Sequence, residues 1–133
     1  MSHNHVFSDI AIRFMVSYRA YNKMVILSKN SVSLRLIKLL YQQGLILNFN
    51  VVDNNIMVEL KYNNGQPLLK SIKVISTPGH RVYWNLRRLK LAYSSQNFGG
   101  VYIISTPRGF YTSTECLLSM HSVGEILLKI QLA

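Results

Sequence analysis

The 133-residue chain carries fifteen Lys and Arg against five Asp and Glu, a formal charge of +10, with 49% hydrophobic residues. The apolar content excludes a disordered chain, and a charge above the range of about 2–8 that solubility asks of a small domain points to a polyanionic partner. No apolar run reaches the ~18 residues of a membrane helix, and the single cysteine, Cys116, excludes an intramolecular disulfide and fits a reducing compartment.

Residues 1–8 lack a cationic segment followed by an apolar one, so no secretory signal is expected. Residues 8–21 predict a helix with Ile10 and Phe14 on one side, joined by Tyr18 or Ser17. A structural helix is preferred there over a transit peptide, with Asp9 as a carboxylate near its N-terminus. KMVILS (23–28) is a short strand. Ser31 is the expected N-cap of a second helix through Gln43, which Gly44 ends. Its apolar face is Leu36, Ile37, Leu40 and Tyr41, with Arg35 and Lys38 outward. The period then changes to two: strands 45–52 and 55–62 flank the turn pair Asp53-Asn54, and strand 68–76 follows the turn 63–67. Thr77-Pro78-Gly79-His80 is a tight turn into a short strand, RVYW (81–84). A helical turn covers 85–93, a strand VYIIS (101–105) follows Gly99-Gly100, TPRG (106–109) is a loop, 112–120 a short helix, and EILLKIQ (125–131) a closing strand. The expected class is α+β: two small α/β domains, residues 1–66 (α-β-α-β-β) and 67–133, the second mostly β with a short helix.

Chemistry that would mark an enzyme is missing from this pattern. The five acids stand apart, and neither G-x-x-x-x-G-K-[ST] nor G-x-G-x-x-G occurs. Cys116 and His121, five residues apart, do not share a helix face well, and a buried thiol beside a helix-end histidine is the preferred reading. His3 and His5 lack a third metal ligand. No catalytic residue, metal, cofactor, membrane or small-molecule substrate is expected. Two segments are informative: S-I-K-V-I-S-T-P-G-H-R-V-Y (71–83) and G-V-Y-I-I-S-T-P-R-G (100–109). Ser105 and Thr106 are small hydroxyl residues that let a nucleic-acid backbone approach, and Arg108 adds a phosphate-seeking charge. Hydroxyl-rich loops suit folded RNA, which is recognised by shape, 2′-OH and phosphate.

These segments resemble the eighth protein of the ribosomal small subunit, in its bacterial and organellar form. Ser71, Ile72, Ile75, Ser76, Pro78, Gly79, Arg81, Val82 and Tyr83 fit one family motif. Gly100, Ile103, Ile104, Ser105, Thr106 and Gly109 fit a second, and Gly124, Glu125, Ile126 and Leu127 a third. The resemblance covers essentially the whole chain, well from residue 34 onward. It implies two α/β domains that bind a helix junction in the central domain of small-subunit ribosomal RNA, chiefly through the Ser-Thr loop, among neighbouring small-subunit ribosomal proteins. On that reading Ser105, Thr106, Pro107, Arg108 and Gly109 form the RNA-binding loop beside Gly124. Glu125 accepts hydrogen bonds from base amino groups or orients the loop hydroxyls, Tyr83 packs on a ribose or base, and Arg13, Arg81, Arg87 and Arg88 meet phosphates.

Departures from the family pattern are local. Pro107 stands where the family has Ser, losing a hydroxyl and an N–H but preordering the loop, with Arg108 in compensation. Phe110-Tyr111 replaces an aliphatic pair, and Val123-Gly124-Glu125 replaces Gly-Gly-Glu. Such drift, with the shortage of acids, points to a mitochondrial ribosome, the alternatives being a plastid or a bacterial cytoplasm. No presequence precedes the matched region, so a chain encoded inside the organelle or already processed is expected. The alternative function is a free regulatory protein that binds messenger RNA with the same surface.

Overall fold

A computed structural model describes residues 3–94, 100–119 and 124–132. The side chains of His3 and His5, together with Gly99, His121 and Val123, lie outside the described residues. The chain divides into two compact units, residues 1–70 and 71–132. The architecture is α+β, with helices packed on antiparallel sheets.

In the first unit, α1 (His3–Arg19) begins five residues earlier than the sequence predicts. Asp9 therefore sits inside the helix, where its carboxylate pairs with Arg13 one turn on at 3.0 Å rather than meeting the helix dipole. Phe7, Ile10, Phe14 and Tyr18 form its buried stripe, at the spacing of one helix face. The strand β1 (Met24–Ser28) follows, then α2 (Ser31–Gln42). Its N-cap is Asn30, not Ser31: the Asn30 side chain accepts from the Ser33 N–H at 2.8 Å, an amide oxygen being as good a cap as a hydroxyl. At its far end, Gly44 donates to Tyr41 and Leu45 to Leu40, with Gly44 at φ +74, the paired bonds of a Schellman stop. Leu36, Ile37 and Leu40 are buried, but Tyr41 is 48% exposed and meets Phe49 edge-on at 5.6 Å.

Next come β2 (Asn48–Val52) and β3 (Asn55–Glu59), shorter than predicted because Leu45 and Ile46 leave the helix as buried packing residues. Tyr62–Asn63 (β4) and Gln66–Pro67 (β5) close a separate small hairpin. The sheet order is β1-β3-β2. Val25, Leu27, Ile56 and Val58 form its buried face. The other face is three rows: Met24–Glu59–Asn48, Ile26–Met57–Asn50 and Ser28–Asn55–Val52.

Tyr18 carries a testable consequence of this packing. Its hydroxyl donates to the Lys61 carbonyl at 3.1 Å, and burial pushes its pKa up to about 12. A raised folded-state pKa contributes stability that is present below the unfolded value near 10 and lost as pH rises toward 12. Thermal melts should therefore show an alkaline fall in stability across that window, shallower in Tyr18→Phe, which at neutral pH is destabilised by about 1 kcal/mol.

The second unit centres on a sheet of order β6-β9-β7-β8, comprising β6 (Leu69–Val74), β7 (Gly100–Thr106), β8 (Gly109–Thr112) and β9 (Glu125–Leu132). β8 lies where the sequence reading placed a loop and the start of a helix. Residues 81–84 are not a strand; Tyr83 makes a single bridge to Glu125. Two helices, α3 (Leu86–Ser94) and α4 (Ser113–Ser119), complete the unit. Asn85 caps α3 through the Arg88 N–H at 2.8 Å. Thr112 and Glu115 cap α4 reciprocally, each accepting from the other's backbone N–H. Leu89, Tyr102, Ile104, Cys116 and Ile126 form one cluster of its core. Burial raises the Cys116 thiol pKa, with a smaller contribution from Glu115, which suits an inert packing cysteine. β7 and β9 pair with a bulge: Ile103 faces Leu128 but Ile104 faces Ile126, leaving Leu127 unmatched. Among the described residues, no helix is long and apolar enough to cross a membrane, and no three His, Cys, Asp or Glu are grouped to hold a metal.

Candidate nucleic-acid interface

The segment 106–109 is the tip of a hairpin in which Thr106 pairs with Gly109 across Pro107 and Arg108. Proline holds φ near −65°, and Arg108 is not among the positive-φ residues. The turn is therefore neither of the primed types whose twist suits hairpins. Gly109, at φ +129, absorbs the mismatch in a region closed to most side chains. The Thr106 hydroxyl ties the turn together: it donates to the Gly109 carbonyl at 3.0 Å and accepts the Arg108 N–H at 3.2 Å. Its one proton is thus engaged inside the turn. The Ser105 hydroxyl is half-buried and makes no hydrogen bond among the described residues.

Backbone pairing sets Ser105 in a row. It lies opposite Phe110 on one side and Glu125 on the other, and Glu125 is bridged to Tyr83. Directly paired residues of antiparallel strands share a face, so Tyr83, Glu125, Ser105 and Phe110 share the face opposite Ile104 and Ile126. Tyr83 is 66% exposed, so its ring is not part of the core. The Glu125 carboxylate is engaged by Arg81 at 3.1 Å, a pair that fixes its position more than it adds stability. Gly124 permits the row to form. A Cβ there would lie 2.1 Å from the Ser105 carbonyl oxygen, so only glycine lets this stretch of chain come so close to β7.

Ser76, 1% exposed, fastens the approach to Tyr83. Its hydroxyl donates to the Ile126 carbonyl at 2.7 Å and accepts the Val82 N–H at 3.0 Å. The Thr77–His80 turn closes through reciprocal backbone bonds of 3.0 Å. Along α3, Arg87 is exposed and Arg88 lies 5.3 Å over the Trp84 ring. Arg13 belongs to the first unit, where its guanidinium binds Asp9 and the Ile26 carbonyl.

A family model described as "Ribosomal protein S8" matches residues 5–130. The chain belongs to the ribosomal protein S8 family. Among the relatives of this S8 chain is "Small ribosomal subunit protein uS8m" of Acanthamoeba castellanii, 36% identical over 117 residues, covering 86% of this chain and 90% of the relative. "Small ribosomal subunit protein uS8" of Rhodospirillum centenum is 29% identical over 127 residues, 92% and 93% of the two chains. The protein of that name from Paramagnetospirillum magneticum is 30% identical over 135 residues, 98% and 99% of the two. S8 family membership makes this a structural ribosomal protein of the small subunit and not an enzyme.

Of the residues singled out in the S8 chain's sequence, Ser105, Glu125 and Tyr83 share a row. Thr106, Pro107, Arg108 and Gly109 form the turn at its edge, Arg81 is its brace, and Gly124 is its spacer. Sequence reasoning missed Phe110 as a member of the row. Two-residue closure at Pro107-Arg108 would have found it, since it forces 106 onto 109 and 105 onto 110.

Proposed function

We propose that this S8 family protein binds and stabilises a helix junction in the central domain of small-subunit ribosomal RNA, beside neighbouring ribosomal proteins, in a mitochondrial ribosome. The observation that carries the reading is the row itself: a serine hydroxyl unengaged among the described residues, between a held carboxylate and the Phe110 ring, with Tyr83 beyond the carboxylate and a hydrogen-bonded turn bearing an exposed arginine at the edge. Tyr83 offers a face for a ribose or base, Ser105 a donor and acceptor, and Glu125 its second carboxylate oxygen to base amino groups. Arg108, Arg87 and Arg88 supply the phosphate charge, and RNA of irregular shape suits this mixture of stacking and hydroxyl contacts. The mitochondrial placement is supported by the Acanthamoeba relative's name.

The hydroxyls separate the roles. Ser105→Ala should weaken binding to a small-subunit RNA fragment by about 1 kcal/mol, roughly fivefold, with thermal stability unchanged. Thr106→Ala should lower thermal stability by roughly 0.5–1.5 kcal/mol, through the loss of two turn hydrogen bonds. An RNA affinity indifferent to Ser105→Ala, in a protein that melts normally, would move the binding surface elsewhere.

A further inference from the structure

The outward face of the first unit's three-stranded sheet differs from the rest of this cationic molecule. Its three rows contain no Lys or Arg, although the chain has fifteen. Its one charge is Glu59, half-buried and without an ion pair among the described residues. The solvent face of an antiparallel sheet is normally polar, yet here Met24, Ile26 and Val52 are exposed, Ile26 by 51%. The apolar surface continues round the β1 edge into a groove of about 340 Å³ walled by Ile12 and Val16 of α1. Arg13, also on that groove, is neutralised by Asp9 at 3.0 Å.

We propose that this face docks a cationic protein segment, which lays apolar side chains over Ile26 and Met57 and sets a Lys or Arg against Glu59. RNA does not fit: phosphate contacts need cations, and the only charge here repels phosphate. A second copy meeting this one face to face does not fit either, because neither molecule brings a cation on this face to Glu59. Interface centres are depleted in charge and enriched in Met, as this sheet is. A lone desolvated carboxylate then selects the partner by its cation. The inference rests on the small-subunit reading for where the partner is met.

The test places a benzoylphenylalanine photo-crosslinker at Ile26, and separately at Met57, in the full chain within sedimented small subunits. Both positions should attach to one protein other than this chain, through a peptide containing Lys or Arg. Adding Glu59→Lys should cut the yield at least fivefold while affinity for the RNA fragment does not fall. Attachment to ribosomal RNA, to a second copy or to an acidic peptide, or no attachment in subunits that hold the chain, overturns the docking face and leaves the RNA reading standing. A chain that binds the RNA fragment yet is absent from the subunit fraction overturns the ribosomal placement and this partner together.

Discussion

Gly124→Ala is expected to lower thermal stability by about 1–3 kcal/mol and RNA affinity by roughly 10- to 100-fold. The added Cβ would lie 2.1 Å from the Ser105 carbonyl oxygen and 3.2 Å from its carbon, both backbone atoms that no rotamer change can move aside. The chain must separate at the point where Glu125 pairs with Ser105. The row then loses its spacing, and hydrogen bonds to a shaped RNA fail together, each worth about 1 kcal/mol or more. Gly79→Ala is the control. A Cβ at that exposed turn meets nothing within 4 Å, so both measurements should stay near wild type. Filter binding at a temperature well below the melting transition separates the affinity loss from unfolding. Equal behaviour of the two variants would mean that the close approach at Gly124 does not shape the site.

Affinity for the RNA should fall log-linearly with salt. If Arg87, Arg88 and Arg108 each meet one phosphate, the slope is about −2 to −3, at roughly 0.7–0.9 per contact by analogy with DNA. Raising salt about fourfold should then weaken binding by roughly 20- to 40-fold. Arg108→Ala should flatten the slope by about one contact, whereas Pro107→Ser should leave it unaltered, since Thr106 and Gly109 still hold the turn. Arg81→Ala tests a different role. Its guanidinium is engaged with Glu125, so it should act through the position of that carboxylate more than through the slope. A slope indifferent to Arg108→Ala would remove that side chain from the phosphate contacts.

Much of the fold was legible as periodicity. The stripe Ile10-Phe14-Tyr18 marked α1, and Leu36-Ile37-Leu40 with Gly44 marked α2 and its stop, because a buried helix face repeats every three to four residues. Boundaries were less legible. Asn30 and Ser31 are adjacent and both competent caps, and only the bond to the Ser33 N–H distinguishes them. β8 has four residues, too few for alternation to declare itself, and the proline before it reads as a breaker. Of the candidate site, motif resemblance pointed to Ser105, Thr106 and Glu125. Their division of labour was not readable: Thr106 spends its hydroxyl within its own turn, while Ser105 is placed beside Glu125 and Tyr83 by pairings across twenty or more residues. Arg13 and Arg81 looked like free cations in the sequence, but acids of the same unit engage both.

The bulge at Leu127 acts as a parity switch between the two ends of β9. With it, Ile126 pairs with Ile104 in the core and Glu125 with Ser105 outside; without it, the register begun at Gly100–Gln131 would set Ile126 against Ser105. What natural variation must preserve here is therefore a register more than a residue. Leu127 can be exchanged for another apolar side chain at small cost, and even its deletion would leave Ile126 against Ile104 and Glu125 against Ser105, whereas closing the bulge with Leu127 retained would bring an isoleucine opposite Ser105 and move the glutamate out of the row. A gap at this one place in an S8 sequence therefore needs no compensating residue in the facing strand.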